Sequence, residues 1–272
     1  MFGLTTILIL GTLAQSALGT VRDVPDSRTI GLKFGDTAND YVLFQPAMEP
    51  LEESFTVCGW VRKLLSGYNR RGWFAYGTST HNEEIYISDN GDNRIFGVHV
   101  DMSSKVAGAL GAWKHHCITW SATSQVYQVY YEGELIETKA TASGTKLGMD
   151  GYMVFGNEFD SYGGGFVDAE SFAGELFKAN VFNRELSSKE IKEMNSEGFC
   201  SEVEEKYGRT RYLKWSDFLL EERSGNVTEI DVGCGTKTKG SRWDVLFLES
   251  FYNKVLTKEL LESLRSNWNV LG

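Results

Sequence analysis

Short apolar segments separated by polar or glycine-containing turns are the feature that most restricts the fold of this chain. Some segments alternate apolar and polar residues, as half-buried strands do, and others are continuously apolar, as fully buried strands are. No long stretch with helical periodicity interrupts the series, which argues against a parallel α/β fold. The pattern therefore predicts an all-β fold, either a β-sandwich or a jelly roll. The predicted strands are 41–44, 55–61, 73–76, 84–87, 95–100, 115–120, 127–131, 134–138, 152–155 and 173–182.

Two local motifs refine this prediction. Glu132-Gly133 between two predicted strands is typical of a hairpin turn in which glycine adopts a positive φ. One short helix is predicted to begin after Ser187, because Ser187 and Glu190 have the spacing of a capping box. Ile191, four residues after Ser187, begins an apolar face that can pack on the sandwich.

The first 19 residues read as a signal peptide. Residues 4–18 are mostly apolar, and Ala17-Leu18-Gly19 provides the small residues that a signal peptidase recognises. The alternative is a membrane anchor, but a spanning helix needs about 20 apolar residues. Gln15 and Ser16 interrupt this segment. We expect a secreted, extracellular protein without a membrane span.

Composition limits the classes of partner. With 37 acidic and 27 basic residues, the formal net charge is −10. Nucleic acid is not expected as a partner, because its phosphate backbone is bound mainly through an excess of Lys and Arg. The acidic balance is compatible with divalent cations, although it is also common among soluble proteins.

Secretion affects how the four cysteines are interpreted. In an oxidising compartment an even number of cysteines suggests disulfides, and four cysteines allow three pairings. The simplest pairing joins Cys58 to Cys117, which both lie in predicted strands, and Cys200 to Cys234. Asn226 begins an Asn-Val-Thr tripeptide, which is the acceptor sequence for N-glycosylation.

An acidic, glycine-rich stretch at 156–170 carries the most informative chemistry. Glu158, Asp160, Asp168 and Glu170 follow a predicted strand, and like charges so close together favour a compensating cation. Calcium prefers oxygen ligands of this kind. A second cluster, residues 81–84, precedes another strand and can complete such a site. The alternative is a solvated acidic loop. A transition-metal site is disfavoured at the adjacent histidines 115 and 116, which point to opposite faces of their strand.

The chain resembles the pentraxin family over about residues 29–234. The motifs that carry the resemblance match in order and spacing. They are Phe55-Thr56-Val57-Cys58, His115-His116-Cys117-Ile118-Thr119-Trp120, Gly156-Asn157-Glu158-Phe159-Asp160-Ser161-Tyr162-Gly163-Gly164, Ser171-Phe172-Ala173-Gly174-Glu175-Leu176, Leu186-Ser187 and Tyr212-Leu213-Lys214-Trp215.

The resemblance implies an all-β, two-sheet jelly-roll sandwich of the concanavalin or laminin-G type with a Cys58–Cys117 disulfide. It also implies a cyclic homo-oligomer that is usually a pentamer, and two neighbouring calcium ions. By position, Glu158 and Asp160 would bridge both ions, and Phe159 would give its backbone carbonyl to the first.

Asn82 and Glu83 fall where the family has an Asp-Asn pair that also binds this first ion. Glu170 stands where a Gln ligates the second ion. Val167 replaces a carboxylate, which Asp168 could restore through a one-residue bulge. One calcium site is therefore expected, with the second left open. Phosphocholine is not carried over, because Ser88 stands where the family's choline-binding aromatic lies.

These observations predict a signal peptide at 1–19, a pentraxin-like domain at 20–236 and a C-terminal extension of unknown role at 237–272. The predicted function is calcium-dependent, lectin-like pattern recognition in innate immunity, with phosphate- or carbohydrate-bearing surfaces as partners and no enzymatic activity. Two alternatives stay open. One is a laminin-G-like adhesion module, and the other is a jelly-roll glycoside hydrolase that uses a pair of carboxylates.

Overall fold

The structure is a computed structural model of the 272-residue chain. It describes residues 27–45, 53–65, 71–82, 84–89, 110–141, 147–148, 150–202, 206–207 and 211–234. All of them belong to the first of the two units into which the chain divides, Met1–Cys234. The expected signal peptide, the strand at 95–100, the extension at 237–272 and Glu83 lie outside the described residues. Within the described part, no helix is long and apolar enough to cross a membrane.

Two antiparallel sheets form the predicted sandwich. The strands are β1 (Ile30–Lys33), β2 (Val42–Phe44), β3 (Ser54–Lys63), β4 (Arg71–Gly77), β5 (Ile85–Asp89), β6 (Trp113–Ser121), β7 (Val126–Tyr131), β8 (Glu134–Ala140), β9 (Tyr152–Phe155), β10 (Gly174–Phe182), β11 (Arg211–Leu213) and β12 (Thr228–Asp231). In the described residues the large sheet has the order β12-β1-β10-β3-β6-β7-β8, with β11 also paired to β10. The small sheet has the order β2-β9-β4-β5. The all-β sandwich predicted from the sequence is confirmed.

The central strands of the large sheet are covered on both faces. Every residue of β10 is buried, including alternate positions that point to opposite sides of the sheet. One face contributes Leu176 to the core between the two sheets. On the other face Phe182 packs with Leu186 and Ile191 in a separate apolar cluster beneath a helix. The sandwich thus has a layer on the outer face of its large sheet as well.

That helix is α1 (Ser188–Glu197), and it begins as the sequence predicts. The Ser187 hydroxyl accepts a hydrogen bond from the backbone N–H of Glu190 at 3.3 Å, and the Glu190 carboxylate accepts one from the backbone N–H of Ser187 at 2.8 Å. Ile191 and Met194 are the buried residues of its inner face. The capping-box prediction is confirmed.

A second helix corrects the prediction of one short helix. Residues Trp215–Leu220 form α2, and the Asp217 carboxylate in its first turn accepts a hydrogen bond at 2.9 Å from the backbone N–H of Lys214, the residue before the helix. Trp215, Phe218 and Leu219 are buried in the core. With only six residues, the helix is too short to show the apolar periodicity that would reveal it in the sequence.

Both predicted disulfides are present. Cys58 and Cys117 are directly opposite in the β3–β6 register, and Cys200 is joined to Cys234. The turn at Glu132-Gly133 has φ values of 52° and 79°, as expected for a tight hairpin. The first disulfide therefore links two central strands of the large sheet.

Candidate functional site

The acidic loop lies on the outer face of the small sheet, where two aromatic side chains fix its position. It leaves β9 at Gly156, whose φ of +96° lets the chain turn. The Phe159 side chain is fully buried in a cluster with Ala75 and Tyr86 of the sheet. Phe166 packs against Phe159, with ring centroids 5.6 Å apart. These contacts hold the acidic residues on either side of Phe159 in place.

Three of the predicted acidic residues converge on one point. Carboxylate oxygens of Glu158, Asp160 and Glu170 all lie within 4.8 Å of one another, and we refer to these residues as the carboxylate triad. Glu158 is only 1% exposed, Asp160 is exposed and Glu170 is partly exposed. Three negative charges at this separation repel each other unless a cation lies between them. The donor set consists of hard oxygens, which suits calcium rather than a transition metal.

A tight hairpin and a single 3-10 turn bring Glu170 back toward Glu158. Ser161 and Gly164 exchange backbone hydrogen bonds of 3.1 and 3.0 Å, and Gly163 at the tip has a φ of +72°. The 3-10 turn Asp168–Glu170 then directs the chain toward β10. The glycines at 163–165 are therefore the element that closes the loop.

Asp168 has a different partner from the triad. One of its carboxylate oxygens accepts the backbone N–H of Ala38 at 2.6 Å, which ties the 3-10 turn to the loop between β1 and β2. Val167 is 38% exposed. Asp168 thus lies in a 3-10 turn, where its carboxylate has a structural contact with the backbone of Ala38.

Asn82 lies beside the loop, as the resemblance implies. Its side-chain amide donates a hydrogen bond to the backbone carbonyl of Phe159 at 2.9 Å. Gly77 permits this approach, because a Cβ at residue 77 would overlap the backbone carbonyl of Asn82. Glu84 is buried and accepts a hydrogen bond from the Thr78 hydroxyl at 3.2 Å. Among the described residues of the 81–84 cluster, Asn82 is therefore the one that contacts the Phe159 carbonyl.

A second group of metal-ligand residue types, Cys58, His115 and Cys117, is buried in the large sheet. Its two sulfur atoms form the disulfide, so they cannot serve as thiolate ligands. Burial lowers the pKa of His115 to about 4, which keeps the ring neutral at physiological pH. This group has a structural role rather than the features of a metal site.

Sequence reasoning missed a polar and aromatic cluster beside the triad. The Tyr162 hydroxyl donates to the backbone carbonyl of Asp150 at 2.6 Å, and the Tyr162 ring meets that of Tyr152 edge to face at 5.0 Å. The Asp150 carboxylate accepts hydrogen bonds from the hydroxyl and the backbone N–H of Ser79, and the first of these lowers its pKa. Of these residues only Tyr162 is close in sequence to a predicted calcium ligand, because it follows Asp160 by two residues.

The glycosylation sequence is accessible. Asn226 and Thr228 are exposed, while Val227 between them is buried. The backbone N–H of Asn226 donates to the fully buried Asp40 carboxylate at 2.5 Å. This contact fixes the backbone and leaves the Asn226 side chain at the surface.

Known proteins match this chain in sequence and in fold. The sequence model of the Pentaxin family matches residues 33–216. The C-reactive protein of Cavia porcellus is 29% identical over 170 residues, which cover 61% of this chain and 75% of that protein. The pentraxin-related protein PTX3 of Homo sapiens is 32% identical over 154 residues, which cover 54% of this chain and 40% of the relative.

Among solved structures, the heptameric SAP-like pentraxin of Limulus polyphemus superimposes with a TM-score of 0.60 at 22% identity. The match covers 77% of this chain and 99% of that one, and it shows a shared fold. The family match extends over more than half of the sequence and includes both the acidic loop and the Cys58–Cys117 pair. The chain is a member of the pentraxin family.

Proposed function

We propose that this protein is a secreted recognition protein that binds phosphate or sugar oxygens on surfaces through calcium held by the carboxylate triad. The observation that carries the proposal is the convergence of Glu158, Asp160 and Glu170 within 4.8 Å on an outer face of the sandwich. A buried Glu158 beneath a more exposed Asp160 and Glu170 leaves the outward side of a bound ion open to a ligand. Membership of the pentraxin family supports non-enzymatic, calcium-dependent, lectin-like recognition.

The oxygens near Phe159 fit one calcium ion best. Glu158 and Asp160 supply carboxylates, and the Phe159 carbonyl lies within reach of the Asn82 amide. Turning that amide would present its oxygen to an ion in place of its nitrogen. We retain Glu83 as a further proposed ligand.

A second ion would share Glu158 and Asp160 with the first and would add Glu170 as a ligand, next to an apolar residue at 167. Asp168 has one carboxylate oxygen engaged by the backbone N–H of Ala38, which holds it in a structural contact. We therefore expect the second ion to bind more weakly than the first.

Titration with calcium alone tests the metal site. We expect Glu158→Gln combined with Asp160→Asn to abolish calcium binding in calorimetry and capture on phosphoethanolamine- or polysaccharide-coated beads. The control Glu197→Gln combined with Asp231→Asn removes the same charge from two exposed positions elsewhere and should leave both unchanged. Equal bead retention with calcium and with chelator would refute the mechanism.

We propose that the domain at 20–236 assembles into a cyclic homo-oligomer, with the extension at 237–272 as a separate segment. Each site would bind weakly, and a ring of sites would raise the avidity for a repetitive surface by about 10²–10⁴. The family resemblance suggests five subunits, and the SAP-like pentraxin of Limulus polyphemus is described as heptameric. Mass photometry measures the subunit number, and a monomer at micromolar concentration would contradict this part of the proposal.

We also propose that Asn226 carries an N-linked glycan. Support comes from its exposed side chain and the exposed hydroxyl residue two positions later. Protein secreted by eukaryotic cells should lose mass on treatment with peptide N-glycosidase. Asn226→Gln should abolish this change and Thr228→Ser should preserve it, because serine keeps the acceptor sequence.

A further inference from the structure

We propose that Tyr162, Tyr152, Asp150 and Ser79, which we call the tyrosine patch, form a subsite for a pyranose ring of the ligand. The inference rests on the proposed function, since the patch would extend a calcium-centred site. It adds a contact on the side of the acidic loop where Asn82 approaches Phe159. The hairpin closed by Ser161 and Gly164 connects the two parts, because Asp160 precedes it and Tyr162 lies at its tip.

The Tyr162 ring is held rigidly and yet remains open to solvent. Its hydroxyl is fixed by the 2.6 Å hydrogen bond to the Asp150 carbonyl, and one side of the ring is in edge-to-face contact with Tyr152. Even so, 48% of Tyr162 is exposed. An aromatic side chain that is already ordered loses little conformational entropy on binding, so its contact area converts efficiently into affinity.

Polar groups flank this ring. The Asp150 carboxylate is exposed and is oriented by two hydrogen bonds from Ser79. Each carboxylate oxygen has more than one acceptor site, so Asp150 can also accept hydrogen bonds from ligand hydroxyls. Hydrogen bonds to an ionised acceptor are about twice as strong as neutral ones. The patch thus combines an apolar surface with charged acceptors at its edge.

A sugar ring matches both halves of the combined site. Its hydroxyl oxygens are hard ligands for calcium, its C–H face is apolar, and its remaining hydroxyls can donate to Asp150. Phosphate alone would occupy the calcium shell without using Tyr162. An ammonium ion could bind Asp150 and the ring face, but it offers no oxygen to the metal. Phosphoethanolamine offers oxygens to the metal and an ammonium group to Asp150 but has no apolar face for the Tyr162 ring, and phosphocholine has no hydrogen-bond donor for Asp150. A pyranose is therefore the ligand that uses the metal, the ring and the hydrogen-bonding capacity of Asp150 together.

The test compares soluble probes on the calcium-loaded, full-length protein. The probes are methyl glycosides of glucose, galactose, mannose and N-acetylglucosamine, together with inorganic phosphate and tetramethylammonium. Tyr162→Ala and Asp150→Asn should each weaken glycoside binding by about tenfold, the size expected for loss of a central aromatic or charge-assisted contact. Calcium and phosphate binding should not change. Tyr162→Phe keeps the ring and should lose less affinity than Tyr162→Ala.

Leu220→Ala serves as the matched control, since Leu220 is also 48% exposed and lies on α2. It should leave glycoside binding unchanged. If the Tyr162 and Asp150 variants bind glycosides as tightly as the unmodified protein, the subsite is refuted and the calcium mechanism stands. Failure of every glycoside to bind, or a preference for tetramethylammonium, also overturns the assignment. Failure to bind calcium itself would instead refute the proposed function.

Discussion

Acidification should destabilise this fold through His115, whose ring is 3% exposed between Trp60 and the Cys58–Cys117 disulfide. Among the described residues the His115 Nδ1 atom has no hydrogen-bond partner, so a proton there would be buried without compensation. The nearby Glu132 carboxylate accepts the backbone N–H of His115 rather than supporting the ring. Burial accordingly lowers the pKa from 6.5 to about 4.

The sign and size of the effect follow from this shift. Above pH 6.5 the ring is neutral in both the folded and the unfolded state, so it contributes no pH dependence. Between pH 6.5 and about pH 4 the unfolded chain binds a proton that the folded chain does not bind. The free energy of unfolding therefore decreases as the pH is lowered. Each pH unit costs at most about 1.4 kcal/mol, which gives about 3 kcal/mol in total from His115. Below about pH 4 this loss is complete.

Urea unfolding, followed by tryptophan fluorescence from about pH 7.5 to about pH 4, measures the effect. His115→Gln removes the titrating ring. The difference in unfolding free energy between the unmodified protein and this variant should therefore shift by about 3 kcal/mol in favour of the variant as the pH falls. Comparing the two proteins cancels the contribution of carboxylates that titrate in both. A difference that stays constant across this range would refute the argument from burial.

Three further predictions concern the loop, the helix and the second disulfide. Gly165→Ala should lower calcium affinity about tenfold in calorimetry. Its φ of +85° is strained for alanine, and the added Cβ would lie 2.8 Å from the Asp160 Cβ. Unchanged affinity would contradict the geometry of the loop. Ser187→Ala should reduce the free energy of unfolding by about 1 kcal/mol, as the loss of an N-cap does, whereas Ser187→Thr should restore most of it. Replacing Cys200 and Cys234 together by serine should lower stability by about 3–4 kcal/mol, since the bond closes a 34-residue separation, and a thermal melt within a degree of the unmodified protein would argue against this.

The sequence was most informative where structure is determined locally. The strand β9 has the predicted boundaries, and the helix after Ser187 follows from two side chains three residues apart. The short strands β1, β11 and β12 were not predicted. Each has only three or four residues, and their assignment depends on pairing with distant segments, as in the register between Leu32 and Leu176.

In the candidate site, too, the sequence predicted features that depend on local residues and not contacts between distant segments. Glu158, Asp160 and Glu170 were identified as candidate ligands from an acidic stretch and a family resemblance, and their convergence in space agrees with that hypothesis. The contact of Asp168 with Ala38 was not predictable, because it joins residues 130 positions apart. The pairing of Tyr162 with Asp150 likewise depends on how a hairpin folds over the sheet, which no local pattern encodes.

The layers on the two outer faces of the sandwich are chemically different. Helix α1 covers the large sheet, and the loop anchored by Phe159 covers the small one. Cyclic symmetry contains no operation that reverses the direction of its axis. A closed ring of these subunits would thus have a front and a back, with every acidic loop displayed in the same sense along the axis. Such a particle could adhere to a flat, repetitive target with all its loops at once.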